Sequence, residues 1–421
     1  MSAVRKGSDF PILVVGAGIG GLSAALCLAR IGRRVVVFEQ ASQLAEIGAG
    51  IQLGPNVFKV FAYLNLTQAV LCNAVLPERY QIADSLTGEP LTHMPLGEAC
   101  VRRFGFPYAV IHRHDLHETL VAACQAEPVI EIRLNIRIDR YEQTADGVAI
   151  TAQDGSVFRG AALIGADGLH SRIRATFKQG EADPISPGFV AARSVLDIDS
   201  VPAEFRVNEV NVWFGPRNHI VLYPLRSGRV ANLGAVFESK EQPGSENWSM
   251  RDALRRAFEG QHPTVHKLLP FLGEKIYWAA TERTAMKNWS NGRVTLLGDA
   301  AHAMTQNLAQ GGAMAIEDAV VLADKIVLHG DDLARAFIAY QDERYLRTGR
   351  VQLFARYYGH MIHAMGVERE LRNRYLQSRR PLDVYEDLAW LYEGVTIAPA
   401  TARLLAASRG ATARPAKASA G

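Results

Sequence analysis

Residues Pro11 to Glu39 carry the pattern that most limits what this chain can fold into. An apolar run, Ile12-Leu13-Val14-Val15, leads into Gly16-Ala17-Gly18-Ile19-Gly20-Gly21 and an Ala/Leu-rich stretch to Ile31; a second apolar run, Val35 to Phe38, then ends at Glu39. The periodicity reads as strand, helix, strand. Gly16, Gly18 and Gly21 stand in G-x-G-x-x-G spacing with Gly20 beside them, and Glu39 lies 23 residues beyond Gly16. In such a unit the first glycine permits a tight turn, the second lets the backbone approach a pyrophosphate, the third lets the helix close on the strand, and the acid accepts from ribose hydroxyls. An acid rather than an arginine at position 39 argues against a 2′-phosphate there. The expectation is a parallel α/β sheet with a dinucleotide at the carboxyl ends of its strands.

A second stretch, far along the chain, answers the first. The apolar run Val294 to Leu297 precedes Gly298-Asp299-Ala300-Ala301-His302, and Gly311-Gly312-Ala313 opens an apolar-periodic helix. A carboxylate at Asp299 can accept from ribityl hydroxyls, and the free N–H groups of Gly311, Gly312 and Ala313 can hold negative charge. Between the two stretches, Ala161 to Ala166 is another buried strand, and it too ends in an acid, Asp167. The glycine-rich loop from Gly48 to Asn56, which contains Gln52, suits close approach to a ligand. Arg113, at the start of a helix running to about Cys124, can reach a pyrophosphate. His112, His114 and His117 crowd the same turn, but their spacing matches no standard ligand set, and no metal is expected.

A different pattern occupies residues 186–284. Val190 to Leu196, Val210 to Phe214, Ile220 to Tyr223 and Val230 to Phe237 read as strands of a mainly antiparallel sheet, and Met250 to Phe258 and Pro263 to Leu268 as helices. The expected division is a cofactor domain over residues 1–185, an inserted substrate sheet over 186–284, the closing part of the cofactor domain over 285–360, and a C-terminal helical segment with a tail over 361–421. Asp332 to Tyr358 reads as a long helix. Met1 to Asp9 is a polar lead-in, and Pro399 to Gly421, poor in large apolar residues, is expected to fray. A net charge of +3 is too small to imply nucleic acid. Four cysteines without disulfide or metal spacing, an N-terminus lacking a signal-peptide core and no run long enough to span a membrane together favour the cytoplasm.

Three signatures carry a family resemblance: Gly-Ala-Gly-Ile-Gly-Gly at 16–21, Gly-Ala-Asp-Gly-x-x-Ser-x-x-Arg at 165–174 and Gly-Asp-Ala-Ala-His at 298–302, joined by Arg113-x-Asp115-Leu116. In order and spacing they resemble the single-component FAD-dependent aromatic hydroxylases over about residues 10–360. The resemblance implies an FAD-binding Rossmann-like fold of the p-hydroxybenzoate hydroxylase type with an inserted antiparallel β-sheet substrate domain and C-terminal helices. It further implies bound FAD, NADH as a transient co-substrate, O2, and oxygen insertion through a flavin C4a-hydroperoxide. A homodimer is left open. One departure is Ala303, where the family usually has proline after the histidine of Gly-Asp-Ala-Ala-His, so a less rigid loop is expected there.

Within the family, His219, Tyr223 and Gln306 are similar to the side chains of members that hydroxylate 3-hydroxybenzoate para to its hydroxyl, giving gentisate. Residues 219 and 223 are an even number apart and share one face of a strand. A phenol of pKa about 10 is ionised only about 0.1% of the time near neutrality, a deficit of about 4 kcal/mol. A histidine near its ordinary pKa of about 6.5 can offset much of that as base. His219 is the candidate base, Gln306 binds the same phenolic oxygen or orients the base, and Tyr223 fixes the ring or its carboxylate. Salicylate 1-hydroxylation with loss of CO2, 6-hydroxynicotinate 3-monooxygenation, an oxidase making peroxide without NADH, and a non-catalytic escort built on the same fold remain the alternatives.

Overall fold

The computed structural model describes residues 10–44, 48–144, 146–177, 183–239, 248–273, 276–279 and 281–397. The polar lead-in and the C-terminal tail expected above lie outside the described residues. A six-stranded sheet runs in the order Ser290–Asn291, Val294–Leu296, Ala162–Gly165, Ile12–Val15, Val35–Phe38, Ile130–Arg133. All its pairings are parallel except that of Ser290–Asn291. The central strands are four-residue runs with every side chain buried, as expected of a sheet covered on both faces.

Register explains why the three signatures act together. Val15 pairs with Gly165 and Gly165 with Leu296, so the three strands end level and release Gly16, Asp167 and Asp299 at one edge. The Ile19–Arg30 helix starts there, and small residues let it sit tightly. Gly16 has φ +105°, and a Cβ at Gly21 would lie 1.9 Å from the Gly16 carbonyl oxygen. The helix is buried along most of its length and packs against the Gly311–His329 helix.

The second sheet has seven strands, in the order Ile276–Ala279, Phe189–Asp197, Val230–Glu238, Asn218–Leu225, Glu209–Gly215, Arg79–Asp84, Pro90–Pro95. Five come from the stretch read as strands from sequence or directly beside it. The other two come from residues 79–95, where Arg79–Asp84 adds in parallel to Glu209–Gly215 and so joins the two halves of the molecule. The far face of this sheet buries Trp213, Leu222, Leu233 and Phe237 against Leu254, Phe258 and Leu268 of the following helices. Each large apolar side chain fully buried there contributes about 1.5–3 kcal/mol.

A 30-residue helix, Leu333–Ile362, runs past both sheets, with the Asp332 carboxylate accepting the N–H of Arg335 at its start. From it Arg344 enters the core, 0% exposed, donating to Asp318 at 2.7 Å and Glu317 at 2.8 Å. Arg347 donates to both oxygens of Glu317 and to the carbonyls of Trp390 and Leu391, which ties down the Asp383–Tyr392 helix. Burial alone would raise both carboxyl groups, but the Arg344 guanidinium, with His302 beside Asp318 and Arg347 beside Glu317, holds them below the usual range. Among the described residues no helix is long and apolar enough to cross a membrane.

Candidate functional site

One continuous cavity of about 700 Å³ lies between the sheets. At one end it is lined by Gly18 and Gly20, where the Ile19–Arg30 helix begins with no side-chain cap and no acid in its first turn. Arg113 borders this end, its stem packed on Gly48. Further along, Gln52 accepts from the Tyr108 hydroxyl and keeps its amide N–H groups as donors. Asp299 is exposed to the cavity and its carboxylate has no hydrogen-bond partner among the described residues. Gly311 and Gly312 line the wall beside it, at the start of a 19-residue helix that again has neither side-chain cap nor acid in its first turn. Ala313 follows, buried, in that turn. Two uncapped helix starts with an acceptor between them suit a long, polar, anionic group with hydroxyls in its middle.

Of the residues expected at this site, Gly16, Gly21, Ala313 and the acids Glu39 and Asp167 lie beside the cavity rather than in its wall. Glu39 accepts the N–H of Ala17 with one oxygen and that of Ala41 with the other, each at 2.9 Å, which leaves both oxygens a lone pair. Asp167 accepts from the Ser171 hydroxyl at 2.5 Å and from the N–H groups of Arg172 and Ile173, so its carboxylate organises the turn after its strand. The histidines near Arg113 are accounted for by the fold: His112 caps the helix through the N–H of His114, and His117 bonds the Ala17 carbonyl at 2.7 Å. Among the described residues no group of His, Cys, Asp and Glu is placed to hold a metal ion.

The loop from Gly298 to Gln310 is fixed from beneath. Asp318 accepts from the N–H of Gly298 and lies 2.6 Å from His302 Nε2. At the position of the family proline, Ala303 has φ −48°, close to the value a proline ring would impose, and its carbonyl accepts from the N–H of Arg283 and from Gln352 Nε2. The side chain of Gln352 thus does by hydrogen bonding part of what the ring does by covalent restraint.

The other end of the cavity is the near face of the seven-stranded sheet. His219 pairs with Val236, Val221 with Gly234 and Tyr223 with Asn232, while Gly234 also pairs with Arg193. Directly paired residues share a face, so Arg193, His219 and Tyr223 all project into the cavity around Gly234, which has no side chain to fill it. Arg193 donates to Gln306 Oε1, reaching across from the sheet to the loop. A guanidinium only donates, so this bond fixes the amide, leaving Gln306 Nε2 to donate elsewhere. Arg193 has no carboxylate partner among the described residues, and burial, the larger cause, lowers its pKa along with the nearby Arg113 charge.

His219 is 7% exposed, and its Nδ1 lies 2.8 Å from Nε2 of His363, a residue outside the cavity wall. Nε2 is therefore the ring nitrogen left for the cavity. Burial, then the Arg193 charge, push His219 down to about 4, so the ordinary value assumed from sequence does not hold here. Tyr223 is buried and pushed above its usual range, which keeps its hydroxyl protonated.

Sequence reasoning missed Arg193 and His363. A lone cation in the middle of the apolar run Val190 to Leu196 was a signal for the first; for the second, which lies just past the end of a helix, there was none.

Comparison with known proteins gives the family and the fold. The model of the FAD binding domain family matches residues 9–355. The chain is similar to the 3-hydroxybenzoate 6-hydroxylases of Polaromonas naphthalenivorans strain CJ2, with 41% identity over 91% of this chain and 96% of that protein, and of Klebsiella oxytoca, with 38% identity over 90% and 96%. Among solved structures it resembles Klebsiella pneumoniae HpxO complexed with FAD and uric acid, with a TM-score of 0.82, 27% identity, and coverage of 93% of this chain and 99% of that one.

Proposed function

The chain belongs to the FAD binding domain family and is a single-component FAD-dependent aromatic hydroxylase, and from that premise we propose that it uses NADH and O2 to hydroxylate 3-hydroxybenzoate para to its hydroxyl, giving gentisate, in the cytoplasm. The observation that carries this reading is that Arg193, His219, Tyr223 and Gln306 converge on the same cavity as the uncapped helix starts and Asp299. The substrate has two polar groups, and this end of the cavity offers a partner to each.

The chemistry that FAD would supply when bound is the activation of O2, with NADH as the source of electrons. Glu39, Arg113, Gln52, Asp299 and the N–H groups of Gly18 to Gly21 and Gly311 to Ala313 would hold it, and the helix start at Gly311 would stabilise negative charge on its ring. His219 Nε2 accepts the phenolic proton, and the electron density released into the ring favours attack ortho and para to the oxygen. Gln306 Nε2 donates to that oxygen. Arg193 pairs with the carboxylate, and the Tyr223 hydroxyl donates to it or to the ring's edge. The apolar wall formed by Ile82, Val212 and Val221 excludes water from the ring.

The test is NADH oxidation by the purified yellow protein with 3-hydroxybenzoate, salicylate and 6-hydroxynicotinate, with product and peroxide identified. Gentisate formed in step with NADH loss is the expected result; catechol or 2,5-dihydroxypyridine would replace the substrate and leave the fold and cofactor intact. Arg193→Met is expected to raise KM for the hydroxybenzoate about 10- to 100-fold, the loss of a charge-assisted hydrogen bond worth about 1.5–3 kcal/mol. An unchanged KM would remove Arg193 from substrate binding.

A further inference from the structure

His219 is half of a buried pair. Its ring stacks on that of His363 with centroids 5.1 Å apart, and His363 stacks in turn on Phe189 at 4.4 Å and 18°. The two rings share one hydrogen bond of 2.8 Å, from Nδ1 of His219 to Nε2 of His363. Only one proton can lie in that bond, so the pair has two neutral states. In one, His219 carries Nδ1–H and presents a bare Nε2 to the cavity; in the other it presents Nε2–H.

We propose that His363 is the positioning partner of the base: it holds His219 in the Nδ1–H state and carries the displaced proton to solvent. The inference rests on the reading of His219 as the base for a phenolic substrate. The step balances without an imidazolium intermediate. The phenol loses its proton to His219 Nε2, the Nδ1–H proton of His219 passes to His363 Nε2, and the Nδ1–H proton of His363 leaves to water. The pair ends neutral and reversed, with His219 Nε2–H now donating to the phenolate. His363 suits the outer position: it follows the Leu333–Ile362 helix, is 8% exposed, and its Nδ1 has no partner among the described residues.

The surroundings explain why the proton has to move on. Arg193 faces His219 from the neighbouring part of the sheet. Arg372 faces His363 from the Gly366–Ser378 helix and donates to the carbonyls of Met361 and Ile362 and to Asp84, while His360 is in the last turn of the Leu333–Ile362 helix that His363 follows. Burial, then the Arg193 charge, push His219 down to about 4, and burial, then the neighbouring His219 and Arg372, push His363 lower still. An imidazole at about 4 facing a phenol at about 10 would hold the proton against odds of about a millionfold. A pair that passes the proton without storing it escapes that penalty.

The test uses the FAD-loaded full chain with isotope-labelled histidine, read by NMR without substrate. In the wild type His219 is expected in the Nδ1–H state. In His363→Phe, which offers no acceptor, it is expected to switch to Nε2–H; in His363→Gln, whose side-chain oxygen accepts Nδ1–H, it is expected to revert. In turnover with 3-hydroxybenzoate, His363→Phe is expected to lower kcat by at least about tenfold while KM stays within about threefold, and His363→Gln to recover only part because an amide does not pass the proton on. A His219 tautomer unchanged in His363→Phe, or full activity in that variant, overturns the proposal. Wild-type enzyme that leaves 3-hydroxybenzoate unreacted sinks the substrate reading instead, and the tautomer measurement still decides the role of His363.

Discussion

Replacing His219 by Asn is expected to lower kcat for gentisate formation by about 10²- to 10⁴-fold, the range associated with loss of a positioned general base. Asparagine keeps a polar group of similar reach on the strand but accepts no proton at neutral pH. The KM effect should be small, because Arg193 and Gln306 hold the other contacts and remain bonded to one another. The pH profile carries a second readout. The pKa of His219 is lowered to about 4, so the neutral, proton-accepting form persists as pH falls from neutrality. Its acid limb in kcat/KM is then expected near 4 and not near the ordinary histidine value of about 6.5. Steady-state rates with gentisate quantified across that range check both, and a variant with wild-type kcat would dismiss His219 as the base.

Arg344→Met is expected to destabilise the protein by about 3–5 kcal/mol, the cost of leaving buried carboxylates without their cation. Glu317, Asp318 and Arg344 are each 0% exposed, so the carboxylates lose their cation in a site away from bulk water. Damage should also reach the cofactor, because Asp318 holds Gly298 and His302 beneath the loop that presents Asp299. Denaturant unfolding of the FAD-free protein, with flavin content measured after gel filtration, separates the two effects. A loss under about 1 kcal/mol would show that the remaining partners, Arg347 and His302, compensate. The pKa values of both carboxyl groups are lowered by folding, so their contribution is complete above the unfolded carboxyl range, begins to fade as pH drops into it and is lost as pH falls through the lower folded-state values.

Residues close in sequence were read well, and residues that meet only through the sheets were not. The strand, glycine turn and helix from Ile12 to Arg30 were legible because each step is local: an apolar run, a φ available to glycine, and small residues where a helix must close on a turn. The same holds for the parity of His219 and Tyr223, which follows from the two-residue repeat of a strand. That two strands from residues 79–95 would extend the second sheet was not legible, since strand pairing depends on partners more than a hundred residues away.

The amino-acid sequence by itself determined the cofactor fold and the family, because both rest on short patterns whose chemistry is fixed by residue type and spacing, and it named His219 as the candidate base. Only the tertiary structure decided what surrounds that histidine. Gly234 opens a gap, Arg193 fills it with a charge that no carboxylate among the described residues meets, Gln306 is turned to meet Arg193, and His363 is delivered from the end of a long helix to the hidden nitrogen of His219. The electrostatics of a buried site depend on distance and burial in three dimensions, and no local pattern encodes either.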